Sequence, residues 1–221
     1  MATTLTDKEI ALAAGQIGCD TAAILAVGEV ESNNVGFNKD GSIVIGFNND
    51  DFTYYTKKKV TGSGKEAYDK AYKIDPEKAM FSTSWGRFQM RGYNFDACGY
   101  PTIEAFVADM KASEQAQLNA FISYVNKRKI DESLASHDWA SFALVYNKRS
   151  NYASKLAKAY NNQRTTTTDT SQTGITHIID SPVSSGGLST KTIVLLIAAG
   201  GLVLCVLIYA LSKRSTDTNS Q

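Results

Sequence analysis

The sequence predicts a mainly helical globular domain with a small β or irregular insertion. A disordered linker, one apolar span and a short polar tail follow it. Three observations carry this. Apolar residues recur at three-four spacing in the first 160 residues, as in Leu118, Phe121, Ile122 and Val125, which is the period of a helix face. Between Asn33 and Thr61 the pattern breaks into short runs punctuated by Asn, Asp and Gly, the texture of short strands and turns. Beyond Arg164 the chain turns to Ser and Thr, then to twenty uncharged residues, Thr192 to Leu211. The expected divisions are a folded domain over 1–162, a linker over 163–190, a membrane helix over 191–212 and a tail over 213–221.

Each element has a local reason. Thr6-Asp7-Lys8-Glu9 forms a capping box that opens a first helix through about Gln16, with Gly18 ending it. Asp20 or Thr21 can cap a second, strongly apolar helix that ends in Gly28-Glu29-Val30-Glu31-Ser32. Phe52, Tyr54 and Tyr55 follow the run Ser42 to Phe47 with alternating spacing, so short strands or an ordered loop are expected. Thr61 to Gly64 is a turn, and Lys65 to Lys73 a short helix stopped before Pro76. Thr102 caps a helix through about Ala112, Ser113 another through Lys127, and Asp138 opens a third that reaches Asn147. A last helix starts at Ser150 or Asn151 and ends near Tyr160.

Composition narrows the chemistry. A net charge of +1 offers no electrostatic case for nucleic acid. Cys19, Cys98 and Cys205 have no metal-ligand spacing, and His137 and His177 are forty residues apart. A metal site, a cofactor or a histidine triad is therefore not expected, and catalysis must rest on carboxylates. The N-terminus has no basic start and its apolar run is broken by Asp7, Lys8 and Glu9, unlike a signal peptide. Thr192 to Leu211 makes a helix of about 30 Å, enough to cross a bilayer, with Lys191 at one end, Lys213-Arg214 at the other, and Tyr209 near the second edge. Thirteen of the twenty-seven residues from Arg164 to Thr190 are Ser or Thr, the composition of a flexible tether.

The carboxylates that stand out are Glu29 and Glu31. They lie about 200° apart on a helix, so one can face solvent while the other faces the packing surface. A carboxylic acid held at a buried helix end can have a raised pKa and donate a proton near neutral pH. An exposed acidic helix end is the plainer alternative. The second informative stretch is Phe81 to Met90, where small hydroxyl residues lead to Trp85-Gly86-Arg87-Phe88-Gln89. A glycine there lets backbone or ligand approach closely.

Taken in order, these stretches resemble a known family. Glu31-Ser32, Gly86-Arg87-Phe88-Gln89-Met90 and Tyr146-Asn147 are similar to the motifs of lysozyme-like glycan-cleaving domains and lytic transglycosylases. The closer resemblance is to phage N-acetylmuramidase endolysins. It runs through Ala26 to Phe37, Ser84 to Asn94, Gly99-Tyr100, Phe106 to Phe121 and Asp138 to Asn147, covering roughly residues 8 to 160. It implies a lysozyme-like fold, peptidoglycan glycan strands as partner, and Glu31 as the acid that protonates the glycosidic oxygen between N-acetylmuramic acid and N-acetylglucosamine. Ser32, Gln89, Asn94, Tyr100, Tyr146 and Asn147 become the candidate substrate-binding residues, with Glu29 as a structural partner. Buried amides and tyrosines also serve only to satisfy backbone groups.

One departure bears on mechanism. Where such endolysins read Leu-Phe-Glu-Arg-His, this chain reads Gly46-Phe47-Asn48-Asn49-Asp50-Asp51-Phe52. Hydrolysis by inversion or double displacement calls for a second carboxylate, and Asp50 and Asp51 are the candidates. Without one, a single acid with substrate assistance would leave an anhydro sugar, the transglycosylase product. Lys148 after Asn147 replaces the family's Gly. The expectation is a membrane-anchored phage lysin in a virion membrane or host envelope, used to penetrate or lyse the cell and in contact with other virion proteins. The rival is a non-catalytic peptidoglycan-binding or structural virion protein on the same scaffold.

Overall fold

The computed structural model describes residues 4–173, with side chains through residue 165. Ten α-helices and a three-stranded antiparallel sheet make up the described part. The expected membrane helix and tail, and the linker beyond residue 173, lie outside it. Among the described residues no single helix is long and apolar enough to cross a membrane.

Helix α1 (Asp7–Ile17) begins at the expected capping box: Thr6 Oγ1 accepts from Glu9 N, and Glu9 accepts from Thr6 N at 2.7 Å. Gly18, at φ 84°, ends it. Asp20 caps α2 (Thr21–Ser32), accepting from Ala23 N at 2.8 Å. Most of α2 is core: Ala22, Ala23, Ile24, Ala26, Val27 and Gly28 are buried. The chain folds back where α2 ends. A Cβ on Gly28 would lie 2.3 Å from Asn34 Oδ1, so any larger residue would push Asn34 out of its bond with Arg87.

The sheet pairs β1 (Ile45–Phe47) with β2 (Thr83–Trp85), and β2 with β3 (Met90–Arg91). Its register sets Gly46 opposite Ser84 and Ser84 opposite Arg91, while Ile45 pairs with Trp85. Since side chains alternate along a strand, Gly46, Ser84 and Arg91 share one face.

Between β1 and β2 lie α3 (Asn49–Thr56), α4 (Gly64–Ile74) and α5 (Pro76–Phe81). Helix α3 corrects the expectation of strands around Phe52, Tyr54 and Tyr55. Asn48 Oδ1 accepts from Asp50 N and Asp51 N at 2.9 and 3.0 Å, and both aspartates sit in the first turn. A side-chain cap and acidic residues at the positive helix end select a helix that alternation could not foresee. Helix α4 stops before Pro76 as expected, and Pro76 itself opens a further short helix, α5, at its first position, with Asp75 as cap.

The remaining helices are α6 (Ile103–Met110), α7 (Glu114–Arg128), α8 (Asp131–Ala135), α9 (Trp139–Tyr146) and α10 (Tyr152–Thr173). Thr102, Ser113 and Asp138 cap α6, α7 and α9 as expected. Helix α10 runs past the expected end near Tyr160, so residues 163–173 of the expected linker are helical backbone. Gln163 Nε2 donates to Glu29 Oε2 at 2.5 Å, tying this extension to α2. The core joins Phe52, Phe88, Phe106, Phe121, Phe142, Leu118 and Leu156, each fully buried. At about 1.5–3 kcal/mol for each large apolar side chain, such burial dominates the stability.

Candidate active site

An open cleft of about 610 Å³ lies between the exposed face of the sheet, the end of α2, and the α9–α10 connection. Its size suits a ligand site. Glu31, in the last turn of α2, lines it with Gln89 and Asn147. Asn147 Nδ2 donates to Glu31 Oε1 at 3.4 Å, joining residues 116 apart in sequence. The buried Tyr152 hydroxyl lies beside the Glu31 carboxyl without a hydrogen bond of good geometry to any group. Burial raises the pKa of Glu31 above the usual carboxylate value. The neighbouring Tyr152 and Asn147, then the charges of Arg149 and Arg91, oppose that rise without cancelling it.

Gln89 enters the cleft from the turn between β2 and β3, at φ 46°. Its Nε2 donates to Gly86 O at 2.8 Å, and its Oε1 lies over Gly46, where a Cβ would approach within 2.8 Å. Tyr146 stacks on Phe142 at 5.0 Å and donates its hydroxyl to Phe88 O at 2.7 Å. It borders the cleft, but its polar atom holds the Gln89 turn. Asn94 also borders the cleft, accepting from Arg128 Nη2 at 2.9 Å.

Two candidates lie elsewhere. Ser32 Oγ donates to Arg87 O at 2.7 Å and is outside the cleft lining. Being next to Glu31 on a helix turns it roughly 100° away. Tyr100 also lies outside the lining; it donates to Asp109 Oδ2 at 2.5 Å and packs edge-on against Phe106, serving the α6 region. The two aspartates separate as well. Asp50 lines the cleft, whereas Asp51 accepts from Arg91 Nη1 at 3.0 Å and is absent from the lining. Among the described residues no group of His, Cys, Asp and Glu is arranged to hold a metal ion.

Sequence reasoning missed the polar network beneath the site. Arg87 and Glu114 form a buried ion pair at 2.8 Å, each side chain 6% exposed. Arg87 Nη2 also donates to Asn34 Oδ1 at 3.1 Å. Glu114 accepts from Gly36 N and Leu5 N. Gln117 accepts from Arg87 N at 2.7 Å and donates to Met110 O at 3.0 Å. A Cβ on Gly86, at φ 71°, would meet Gln117 Cδ at 2.4 Å. The network thus locks the post-α2 loop and the Gln89 turn to α7. The available signal was Glu114 and Gln117 on the helix whose stripe includes Leu118 and Phe121. Tyr152, Arg149 and Lys155 in the cleft lining were also missed; nothing in their spacing connects them to Glu31.

A half-buried, protonatable carboxyl group beside an amide donor in an open cleft is the equipment of a glycosidase, which needs a positioned acid at the leaving oxygen. Residues 62–164 match the family profile described as N-acetylmuramidase; Glu31 precedes this range. The crystal structure of the Burkholderia AP3 phage endolysin is similar at 33% identity and a TM-score of 0.63, covering 74% of this chain and 72% of that one. No curated protein gives a significant match. The chain belongs to the N-acetylmuramidase family of phage endolysins, and it is a glycosidase that hydrolyses peptidoglycan.

Proposed function

We infer that Glu31 is the general acid for cleavage of the β-1,4 bond between N-acetylmuramic acid and N-acetylglucosamine. The observation that carries this is the partial burial of Glu31 in the cleft wall, which keeps its carboxyl protonated to higher pH than usual. The proton passes to the glycosidic oxygen as the bond to the anomeric carbon breaks. Asp50, on the cleft lining, takes a proton from the water that attacks that carbon. The products are one new reducing end and one new free hydroxyl. Arg149 and Arg91 favour the carboxylate left on Glu31, and solvent returns its proton. Gln89 and Asn147 offer amide contacts to the sugar's acetamido and hydroxyl groups, and Asn94 borders the same surface.

The chain's wider setting is carried by sequence alone. Thr192–Leu211 would anchor the enzyme in a bilayer, and the Ser/Thr-rich tether would let the domain reach the wall. This suits a lysin in the membrane of a virion, opening the wall locally, better than a freely diffusing one. Lipid extraction of purified virions should then remove the protein. Its full retention on lipid-free capsids would count against the anchor.

For the chemistry, full-length protein is incubated with purified peptidoglycan beside Glu31→Gln and Asp50→Asn, and products are analysed by mass spectrometry. Reducing N-acetylmuramic ends are expected from the parent. Glu31→Gln should lose at least about 10²-fold in rate, and Asp50→Asn a comparable amount. Full activity in Glu31→Gln would sink the assignment. Anhydro ends, with Asp50→Asn active, would mean a single-acid transglycosylase.

A further inference from the structure

The small sheet has a second face. Ile45 and Trp85, paired across β1 and β2, line a separate cavity of about 810 Å³. Helix α4 supplies Lys65, Tyr68, Tyr72 and Lys73 to it, and Lys111 follows α6 at its edge. The floor is buried and aromatic: Trp85 is 1% and Tyr68 9% exposed, meeting edge-on at 5.6 Å. The rim is cationic, with three lysines against Asp69 alone, a balance of 3 − 1 = +2. Lys65 is tied to Asp69 at 2.6 Å, whereas Lys111 Nζ sits over the Trp85 ring at 5.5 Å. Solvated surface lysines are common, but here they surround an aromatic recess edged by Tyr72, which is 42% exposed.

We propose that this cavity binds the short acidic peptides that branch from the glycan strand of the substrate. This rests on the peptidoglycan reading of the cleft. Those peptides combine small methyl-bearing residues with free carboxylates, which match an apolar floor under a ring of ammonium groups. The sheet separating the two cavities is about 10 Å wide, and an extended five-residue peptide spans about 17 Å. A peptide attached to glycan in the cleft, or to a neighbouring strand, can reach round its edge.

The test titrates full-length protein calorimetrically with the tripeptide L-alanyl-γ-D-glutamyl-meso-diaminopimelate, and with the same peptide carrying amidated carboxyls. Saturable binding in about the millimolar range is expected. The amidated peptide, the Lys73→Glu/Lys111→Glu variant and Tyr72→Ala should each bind at least about tenfold more weakly. Glu31→Gln should bind like the parent. In kinetics, the double charge reversal should lower the ratio of kcat/KM on peptide-bearing to peptide-free glycan by about tenfold. Equal binding by parent and variants would overturn the proposal, as would no saturation by about 10 mM. A charge reversal that loses only binding to phosphatidylglycerol vesicles would assign the patch to lipid instead. The two readings fail separately: inactivity on peptide-free glycan strikes the catalytic assignment, while the calorimetry still decides the cavity.

Discussion

Replacing Arg87 with Met tests whether the buried network holds the cleft together. Met keeps the unbranched apolar stem and removes the guanidinium. Glu114 is then left nine-tenths buried, with only the Gly36 and Leu5 N–H groups at 2.7 and 3.0 Å as donors. Removing one partner of a buried ion pair costs about 3–5 kcal/mol, and the lost hydrogen bond to Asn34 adds about 1 kcal/mol. A total of about 5 kcal/mol is a large part of the 5–15 kcal/mol typical of a domain. For a domain of this size it corresponds to a fall of about 10–20 °C in Tm. Arg87→Met/Glu114→Gln removes both charges, so its cost should fall short of the summed single costs by at least about 2 kcal/mol. Urea unfolding at neutral pH, followed by fluorescence of the buried Trp85, measures each value. A loss below about 1 kcal/mol in Arg87→Met, or strict additivity in the cycle, would refute the reasoning.

Glu31→Gln should stabilise the protein at neutral pH. The folded-state pKa of Glu31 is raised, so its native-state advantage is fully present below the unfolded carboxylate value and is lost as pH rises through the folded value. The melting difference between parent and variant should therefore close on acidification below about pH 4.3; a difference independent of pH would contradict this. Tyr152→Phe removes a buried hydroxyl that lacks a well-formed hydrogen bond and a neighbour that opposes the rise of the Glu31 pKa. The alkaline limb of kcat/KM should move to higher pH with little loss of stability, and a shift to lower pH would refute that role. Asn48→Ala should cost about 1 kcal/mol by uncapping α3, with Asn48→Asp restoring most of it; chemical denaturation reads both.

The helical frame was legible because its signals are local. Thr6, Asp20, Thr102, Ser113 and Asp138 each cap the helix that follows, and a cap involves residues only two or three positions apart. Local signals also explain the misreading of Phe52 to Tyr55. Three aromatic residues near alternate positions outweighed Asn48 as a cap and the two acidic residues after it. The stop before Pro76 held, but the short helix that Asp75 and Pro76 open was not foreseen. The misreading and the omission both came from weighing side-chain type above helix-end chemistry.

The site was legible in part. Glu31, Gln89, Asn94, Tyr146 and Asn147 reach the cleft, and the ordered motifs had singled them out; Asp50, named where the motif fails, reaches it too. Ser32 and Tyr100 share those motifs yet support neighbouring structure, because adjacency to a cleft residue does not set the direction of a side chain. Tertiary structure alone decided which acidic residues are engaged: Glu29 with Gln163, Asp51 with Arg91, Glu114 with Arg87, and Glu31 with the cleft. Sequence establishes that carboxylates are present and roughly which helix carries them. Their protonation and their work depend on burial and on partners brought from more than a hundred residues away, as Asn147 is to Glu31. Those distances exist only once the helices have packed.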